Sequence, residues 1–535
     1  MKQRTTLTGA HVFRPKLRSH ILPKQRRVSA EPNQYKELEG DSLSSGVAFT
    51  MGITVAQRAV GFIRTAIFCR LLAAQELGQW SLVFSFVMFS APMTMMGITG
   101  SFGRYVEHYL QRGLIKRFLF RTGAAVVGLT LLTIASVWFH RGWVSWGLFG
   151  STEQTSLLIP ACVTLVTTIA FNYFLEVVIA LRQIKVGSMM SLISSWSFAV
   201  LGIGFLYCTQ LGSYGVILAF AISNLLAAFY ALRKMTRLWP KLPDSNEPFS
   251  HFGLWKKLAP FAIGLWIVNI FLNTFDLADR YMIIHFSGSS PGVAQGLVGQ
   301  YFSSLAVPLL MVGVSVALAH MVMPYLSKDW EAGRFQAVYD RVNMSIKMIG
   351  LMLCVVSVSI LIMGPFIFSQ IFGGKYAAGF AILPWTITFC YWKAISTAVY
   401  NYLFCTERTQ LMCVSLGIGL LANIALNALL LPILGLAGAA IATSLGCGIN
   451  LGIALFFCRE LNLKLHSGVF CVILFPCVFG LGTVAAEIAL VGLLYVASCT
   501  TWFFSSEERE ELEATLQGIR EKLLPSQAVA ETEAA

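Results

Sequence analysis

Runs of about twenty apolar residues recur along nearly the whole chain, from residue 46 to residue 505. A run of that length matches the hydrocarbon thickness of a bilayer when it is wound as a helix. A segment of that kind must satisfy every backbone polar group internally, which leaves α-helices and closed β-barrels as the options. Barrel strands alternate with period two and are only about ten residues long, and this pattern does not occur here. Composition agrees: of 535 residues 56% are hydrophobic and 12% charged, against roughly 25% charged in an ordinary soluble domain. The expected fold is therefore an all-α polytopic membrane protein.

About fourteen spans are expected. They cover residues 46–69, 79–101, 119–139, 156–181, 187–208, 212–233 and 258–284 in the first part of the chain. The remainder lie at 296–323, 345–369, 378–403, 410–431, 436–458, 467–484 and 487–504. Only "GLGTVAAE" separates the last two, and one long tilted helix there would reduce the count to thirteen. Residues 1–45 read as a disordered basic tail, with nine Lys/Arg against four acidic residues, placed against anionic headgroups. A start at Met51 would shorten the first helix only slightly.

Lysine and arginine concentrate in the even-numbered connections, including "RYVEHYLQRGLIKRFLFR" and "LRKMTRLWPKLP". The odd-numbered ones carry Arg70, Arg141, Arg280 and Lys375. By the positive-inside rule both termini are cytoplasmic. The net charge of +13 thus records topology and points away from nucleic acid. The tail from Glu507 has the pattern of an amphipathic cytoplasmic helix.

The two halves resemble each other. "LGSYGVILAFAIS" from Leu211 and "LGLAGAAIATSLG" from Leu434 both open a sixth span with small residues at helical spacing, a pattern that permits close helix approach. The expected organisation is two pseudo-symmetric six-helix lobes, 46–233 and 258–458, joined by a basic linker at 234–257. An extra helix pair at 459–505 and a tail at 506–535 complete the chain. Repeats of this kind commonly build transporters with a site between the halves.

Ionisable residues inside spans are costly and mark function by default. Arg58 and Arg64 lie six residues apart in the first span, about 9 Å along a helix axis. They flank Gly61, whose missing side chain leaves room for a ligand or a neighbouring helix. Two fixed guanidiniums suit a phosphate or carboxylate; the alternative is snorkelling or pairing with acids of the seventh span. In "NTFDLADRYMI", Asp276 and Arg280 form an i,i+4 pair and Asp279 lies on the adjacent face. These carboxylates are candidates for charge balance or for H⁺ or Na⁺ coupling, or form a helix-end cluster. Lys393, mid-span among aromatics, is a candidate for the anionic cavity, and Glu176 for pairing with Arg182 or a loop cation. Arg70 reads as a helix-end residue, Glu487 as interfacial and His320 as a satisfied polar group. No C-x-x-C pair, P-loop, G-x-S-x-G elbow or H-E-x-x-H occurs, so neither catalysis nor a metal site is expected.

"RAVGFIRTAIFCRLL", "ELGQWSLVFSF" and "MGITGSFGRYV" resemble the opening of polysaccharide flippases of the multidrug/oligosaccharidyl-lipid/polysaccharide superfamily. "DRYMIIHFSG" with "VGQYFSSLAVPL" is similar to the family's seventh-to-eighth junction, and "LANIALNALLLPILGLAGAAIATSLG" to its eleventh-to-twelfth. The resemblance covers about residues 46–505. It implies a bacterial inner-membrane flippase that moves a polyprenyl-pyrophosphate-linked oligosaccharide between leaflets by alternating access, for surface polysaccharide such as O-antigen. Membrane lipids and glycan polymerase or assembly proteins are the implied partners, and no cofactor is implied. Arginines at this first-helix spacing line the cavity of related lipid-linked peptidoglycan precursor flippases, which carries that role to Arg58 and Arg64. Those relatives often have an acidic residue where this chain has Thr65. The alternatives are a drug or metabolite/cation antiporter of the same fold, and an integral-membrane enzyme of glycan assembly.

Overall fold

The computed structural model describes residues 43–245, 248–506 and 508–510, with 513 and 517; the side chains of 43–51, 55 and 276 fall outside the description. Residues 1–42 of the expected basic N-terminal tail lie outside the described residues, and 43–45 already belong to the first helix. From Leu43 the chain forms α1 (Leu43–Leu71), α2 (Ala74–Met95), α3 (Phe102–Gln111) and α4 (Ile115–Phe139). It continues with α5 (Arg141–Phe149), α6 (Leu158–Ala180), α7 (Ile184–Cys208) and α8 (Gly212–Leu238). The second half runs through α9 (His251–Phe286), α10 (Pro291–Leu305), α11 (Pro308–Glu331) and α12 (Phe335–Phe366). Then come α13 (Ala377–Ala381), α14 (Leu383–Cys405), α15 (Thr409–Leu434) and α16 (Leu436–Glu460). Two shorter apolar helices follow, α17 (Ser467–Leu474), which runs on as a 3-10 stretch (Phe475–Leu481), and α18 (Thr483–Cys499).

Eight helices precede the 239–250 segment and eight follow it as far as Glu460. Their turns repeat as well: Gly113 and Gly333, Arg182 and Glu407, and Gly212 and Gly435 all take positive φ. Among the described residues, nine helices are long and apolar enough to cross a membrane, or ten if the bent pair α2–α3 is one span. That pair bends by 61°, where Met96 and Gly97 leave the right-handed region. Its counterpart in the second half is interrupted at Ala306 and Val307, ahead of Pro308. Proline lacks the N–H of a helix interior and so opens a new helix at its first position. The expected span at 296–323 is therefore two helices covering residues 291–331. At the C-terminus a break at Gly482, φ 104°, separates α17 from α18, which rules out a single long helix.

One end of the bundle carries the Lys/Arg-rich connections and is called the basic end below. At the other end the halves are sealed. A Cβ on Gly78 would fall 1.8 Å from the Gln295 carbonyl oxygen, and one on Gly299 would fall 1.9 Å from that of Ala74. Only glycine permits this backbone approach of α2 to α10. Gln295, fully buried, donates to the Phe149 carbonyl and to Gln154 (both 2.9 Å) and accepts from Gln79 (3.1 Å). Lys375 donates to the Arg70 carbonyl and the Arg70 side chain to the Gln370 carbonyl (2.8 and 3.0 Å). Arg70, an ordinary helix-end residue from sequence, thus ties the end of α1 to the second half.

The helices α17 and α18 lie against α12 and α14, where Tyr391 donates to the Gly350 and Val472 carbonyls and Trp392 to that of Ile473. The segment beyond them is docked. The Lys347 ammonium, 1% exposed, meets both Glu508 carboxylate oxygens at 2.7 and 2.8 Å, with His466 at 3.3 Å. Burial opposes ionisation of Glu508, but the Lys347 hydrogen bond, the Ser505 backbone N–H and the nearby positive charge together outweigh it and hold the carboxyl below the usual glutamate range.

Gly299→Val should destabilise the sealed arrangement by about 1–3 kcal/mol, the cost of overpacking. In a variant keeping Cys69 as its only cysteine, this fully buried thiol should then react faster with a maleimide. An unchanged rate would remove the seal from the account. The Glu508 carboxyl is depressed in the folded state, so its contribution is present above the ordinary glutamate pKa and lost as pH falls through the lower folded value. Hydrogen exchange at residues 497–510 should accelerate in that acid window, and Glu508→Gln should abolish the pH dependence.

Candidate functional site

The first helix carries its cations into a cavity of about 530 Å³ between α1, α2, α7, α8 and the α10–α11 arm. Arg58, Gly61 and Arg64 all line it. A Cβ on Gly61 would meet nothing closer than the Arg64 guanidinium at 3.8 Å, so the space beside this glycine belongs to the cavity and not to a neighbouring helix. Neither arginine forms an ion pair among the described residues, and no acidic residue lines the cavity.

Each guanidinium is held by something other than a carboxylate. Arg64 lies 4.2 Å from the ring centroid of Phe198 on α7. Phe198 packs in turn against Phe68, Trp80 and Phe220 at 5.0–5.6 Å. A desolvated cation–π contact of this kind contributes roughly 2 kcal/mol and leaves the guanidinium N–H groups free for a ligand. Arg58 reaches across to the second half, where it lies on Gly313 of α11; a Cβ there would be 2.6 Å from the Arg58 Cζ. The sequence placed the two arginines on one helix face but contained no sign of Phe198 or Gly313 as their rests.

Asp279 lies elsewhere, 3% exposed, and is not a helix-end residue. Its carboxylate accepts from Tyr301 Oη (2.9 Å), Asn423 Nδ2 (3.1 Å) and Asn427 Nδ2 (3.4 Å), which joins α9, α10 and α15. The Asn427 side-chain oxygen is buried there without a partner among the described residues. Asn423 and Asn427 stand one turn apart in an otherwise apolar helix, a signal that the sequence offered and that went unused. Arg280 donates through Nε to Ser81 of α2 (2.9 Å). Asp279 and Arg280 line a second cavity of about 240 Å³, and Phe84 and Leu309 belong to the walls of both cavities.

The remaining candidates are not brought together with the arginines. Lys393 is half-buried with its ammonium 5.4 Å from the Phe389 ring, and it lines neither cavity. Phe389 is in the wall of the Asp279 cavity. Asp276 belongs to α9, with its side chain outside the description. Glu176 is half-buried in α6, and Arg182 pairs with Glu107 at 3.2 Å instead.

The chain is similar in structure to several solved membrane transporters. The lipid II flippase MurJ in an inward closed conformation superposes with a TM-score of 0.63 at 14% identity, over 84% of this chain and 98% of that one. A multidrug resistance MATE family transporter of the MOP superfamily matches in its inward-facing conformation with a TM-score of 0.57 at 11% identity, over 78% and 98%. A eukaryotic MATE transporter, AtDTX14, gives 0.51 at 16% identity, over 86% and 99%. No curated protein matches the sequence. The family model described as polysaccharide biosynthesis protein matches residues 43–330, more than half of the chain. The chain belongs to that polysaccharide biosynthesis family, and its fold is that of the MOP superfamily transporters.

Proposed function

We propose that this protein is a flippase, not an enzyme, and moves a polyprenyl-pyrophosphate-linked oligosaccharide across a bacterial inner membrane by alternating access. The supporting observation is the pair Arg58 and Arg64 in one cavity with no carboxylate in its wall among the described residues. Two cations held at membrane depth on an aromatic ring and a glycine are uncompensated until an anion enters. A pyrophosphate supplies that charge, and guanidinium forks bind its oxygens bidentately. An antiporter of cationic drugs would need acidic groups in this wall.

In this reading the basic end is cytoplasmic, with both termini there, and the α2–α10 seal closes the periplasmic end. The cavity is then loaded from the cytoplasmic leaflet. Glycan assembly proteins would receive the product for surface polysaccharide such as O-antigen. Asp279 is the coupling site: a carboxylate beside a partnerless amide oxygen can exchange its amide and phenol donors for Na⁺ or H⁺.

In proteoliposomes carrying a fluorescent polyprenyl-pyrophosphate sugar, Arg58→Ala and Arg64→Ala should each slow translocation about tenfold or more, the loss of a charge-assisted contact. Arg64→Lys should recover only part. Wild-type rates in both alanine variants would overturn the assignment. Asp279→Asn should leave lipid binding intact while abolishing acceleration by a Na⁺ or H⁺ gradient. If gradients still accelerate that variant as they do wild type, coupling lies elsewhere.

A further inference from the structure

The α7 wall of the arginine cavity is made of hydroxyls. Ser191, Ser194 and Ser195 stand at i, i+3 and i+4, with Phe198 at i+7, and all four line the cavity. A serine in an apolar helix ordinarily returns its proton to the preceding turn, as Ser191 does to Gly187 (3.1 Å). Ser194 does not. It donates to Asn224 Oδ1 (2.9 Å), and Asn224 donates to Thr168 (2.9 Å), so a relay through α8 and α6 fixes the hydroxyl and leaves it open as an acceptor. Ser195 makes no hydrogen bond among the described residues.

The register between α1 and α7 tells what faces this belt. Arg64 lies on Phe198, and Phe68 would contact a Cβ on Gly202 at 2.6 Å. Both contacts pair residues with the same separation in number, so the helices run parallel, with Gln57 level with Ser191 and Gly61 level with Ser195. Gln57 also lines the cavity, and its amide nitrogen is buried with no partner among the described residues. A face that served only to pack α7 on α1 would leave no cavity beside it. Unspent donors and acceptors beside a cation pair are instead a site for a polyol phosphate.

We infer that Gln57, Ser191, Ser194 and Ser195 form a subsite for the hydroxyl or acylamino groups of the sugar attached to the phosphate that Arg58 and Arg64 hold. The inference rests on the lipid-linked glycan reading above. Gln57 donates, Ser194 accepts and Ser195 does either, a set that matches a hexose or N-acetylhexosamine better than a second phosphate. The arginines then recognise what all lipid-linked glycans share, and the belt distinguishes the sugar.

The test compares binding of two probes to the purified full-length protein by native mass spectrometry: a polyprenyl pyrophosphate, and the same lipid carrying one N-acetylhexosamine or hexose. Wild type should prefer a sugar-bearing lipid. Gln57→Leu and the triple variant Ser191→Ala, Ser194→Ala, Ser195→Ala should each reduce that preference about tenfold, while affinity for the bare lipid stays within about twofold. Arg64→Ala should weaken both. Should the triple variant fail to fold, Gln57→Leu carries the test alone, and Ser194→Thr, which keeps the hydroxyl, should keep the preference. An unchanged preference in the variants, or an equal loss for both lipids, overturns the subsite. Wild type binding both lipids without preference also overturns it and leaves the flippase reading standing. Wild type binding neither lipid overturns that reading and the subsite with it.

Discussion

A polar group at membrane depth has no water to fall back on, and this constraint separates the charged residues of the chain into two kinds. Asp279 is met by three donors from two other helices, and Lys347 by both oxygens of Glu508. In each case the charge is buried where its partners are, and removing one partner of a buried ion pair costs about 3–5 kcal/mol. Arg58 and Arg64 are treated differently: the fold gives them a ring face and a glycine to lie on but no counter-charge among the described residues. Asp279 is solvated by neutral donors and Lys347 is paired with a carboxylate, whereas the two arginines are positioned with no described counter-charge.

The same distinction explains what was legible in the sequence. The all-α polytopic membrane fold follows from the apolar runs along the chain. These are local patterns enforced by the bilayer. The arginine pair was legible because its cost stands out against an apolar background, and the 3.6-residue period of a helix put both residues beside Gly61. What stayed hidden depends on contacts distant in the chain. Gly78 and Gly299 are two of forty-five glycines, and only the backbone approach between them shows why these two matter. Glu508 belongs to a stretch that reads as a solvated amphipathic helix, yet it is buried because Lys347, 161 residues earlier, needs a partner.

Broken helices were the other blind spot. Hydropathy treats residues 296–323 as one span, since Ala306, Val307 and Pro308 are apolar and lower no window average. The break is a matter of backbone hydrogen bonding. Proline at 308 withholds one donor, and the chain resolves this by ending α10 and beginning α11. In the first half Gly97 does the equivalent work at a different position, with the Ala262 carbonyl close against it. Two unrelated chemical devices thus interrupt equivalent arms, which is why the repeat is visible in the helix order and weak in the residues.

The break places three separate parts of the machinery on one short helix. Within α10, Gln295 and Gly299 form the seal against α2, Tyr301 holds Asp279, and Phe302 is in the wall of the arginine cavity. Gly299, Tyr301 and Phe302 lie within a single helical turn, about 5.4 Å of rise. A helix does not shear internally over that length without breaking its own hydrogen bonds. Separating Gly78 from Gly299 therefore moves Tyr301 and Phe302 relative to α2 as one unit. A change of occupancy at either site conversely bears on the seal, with Ala306 and Val307 as the joint that frees α10 from α11. Under the function proposed above, coupling between an ion, an anionic passenger and access to one side of the membrane would need no long-range pathway, only the rigidity of one turn of helix.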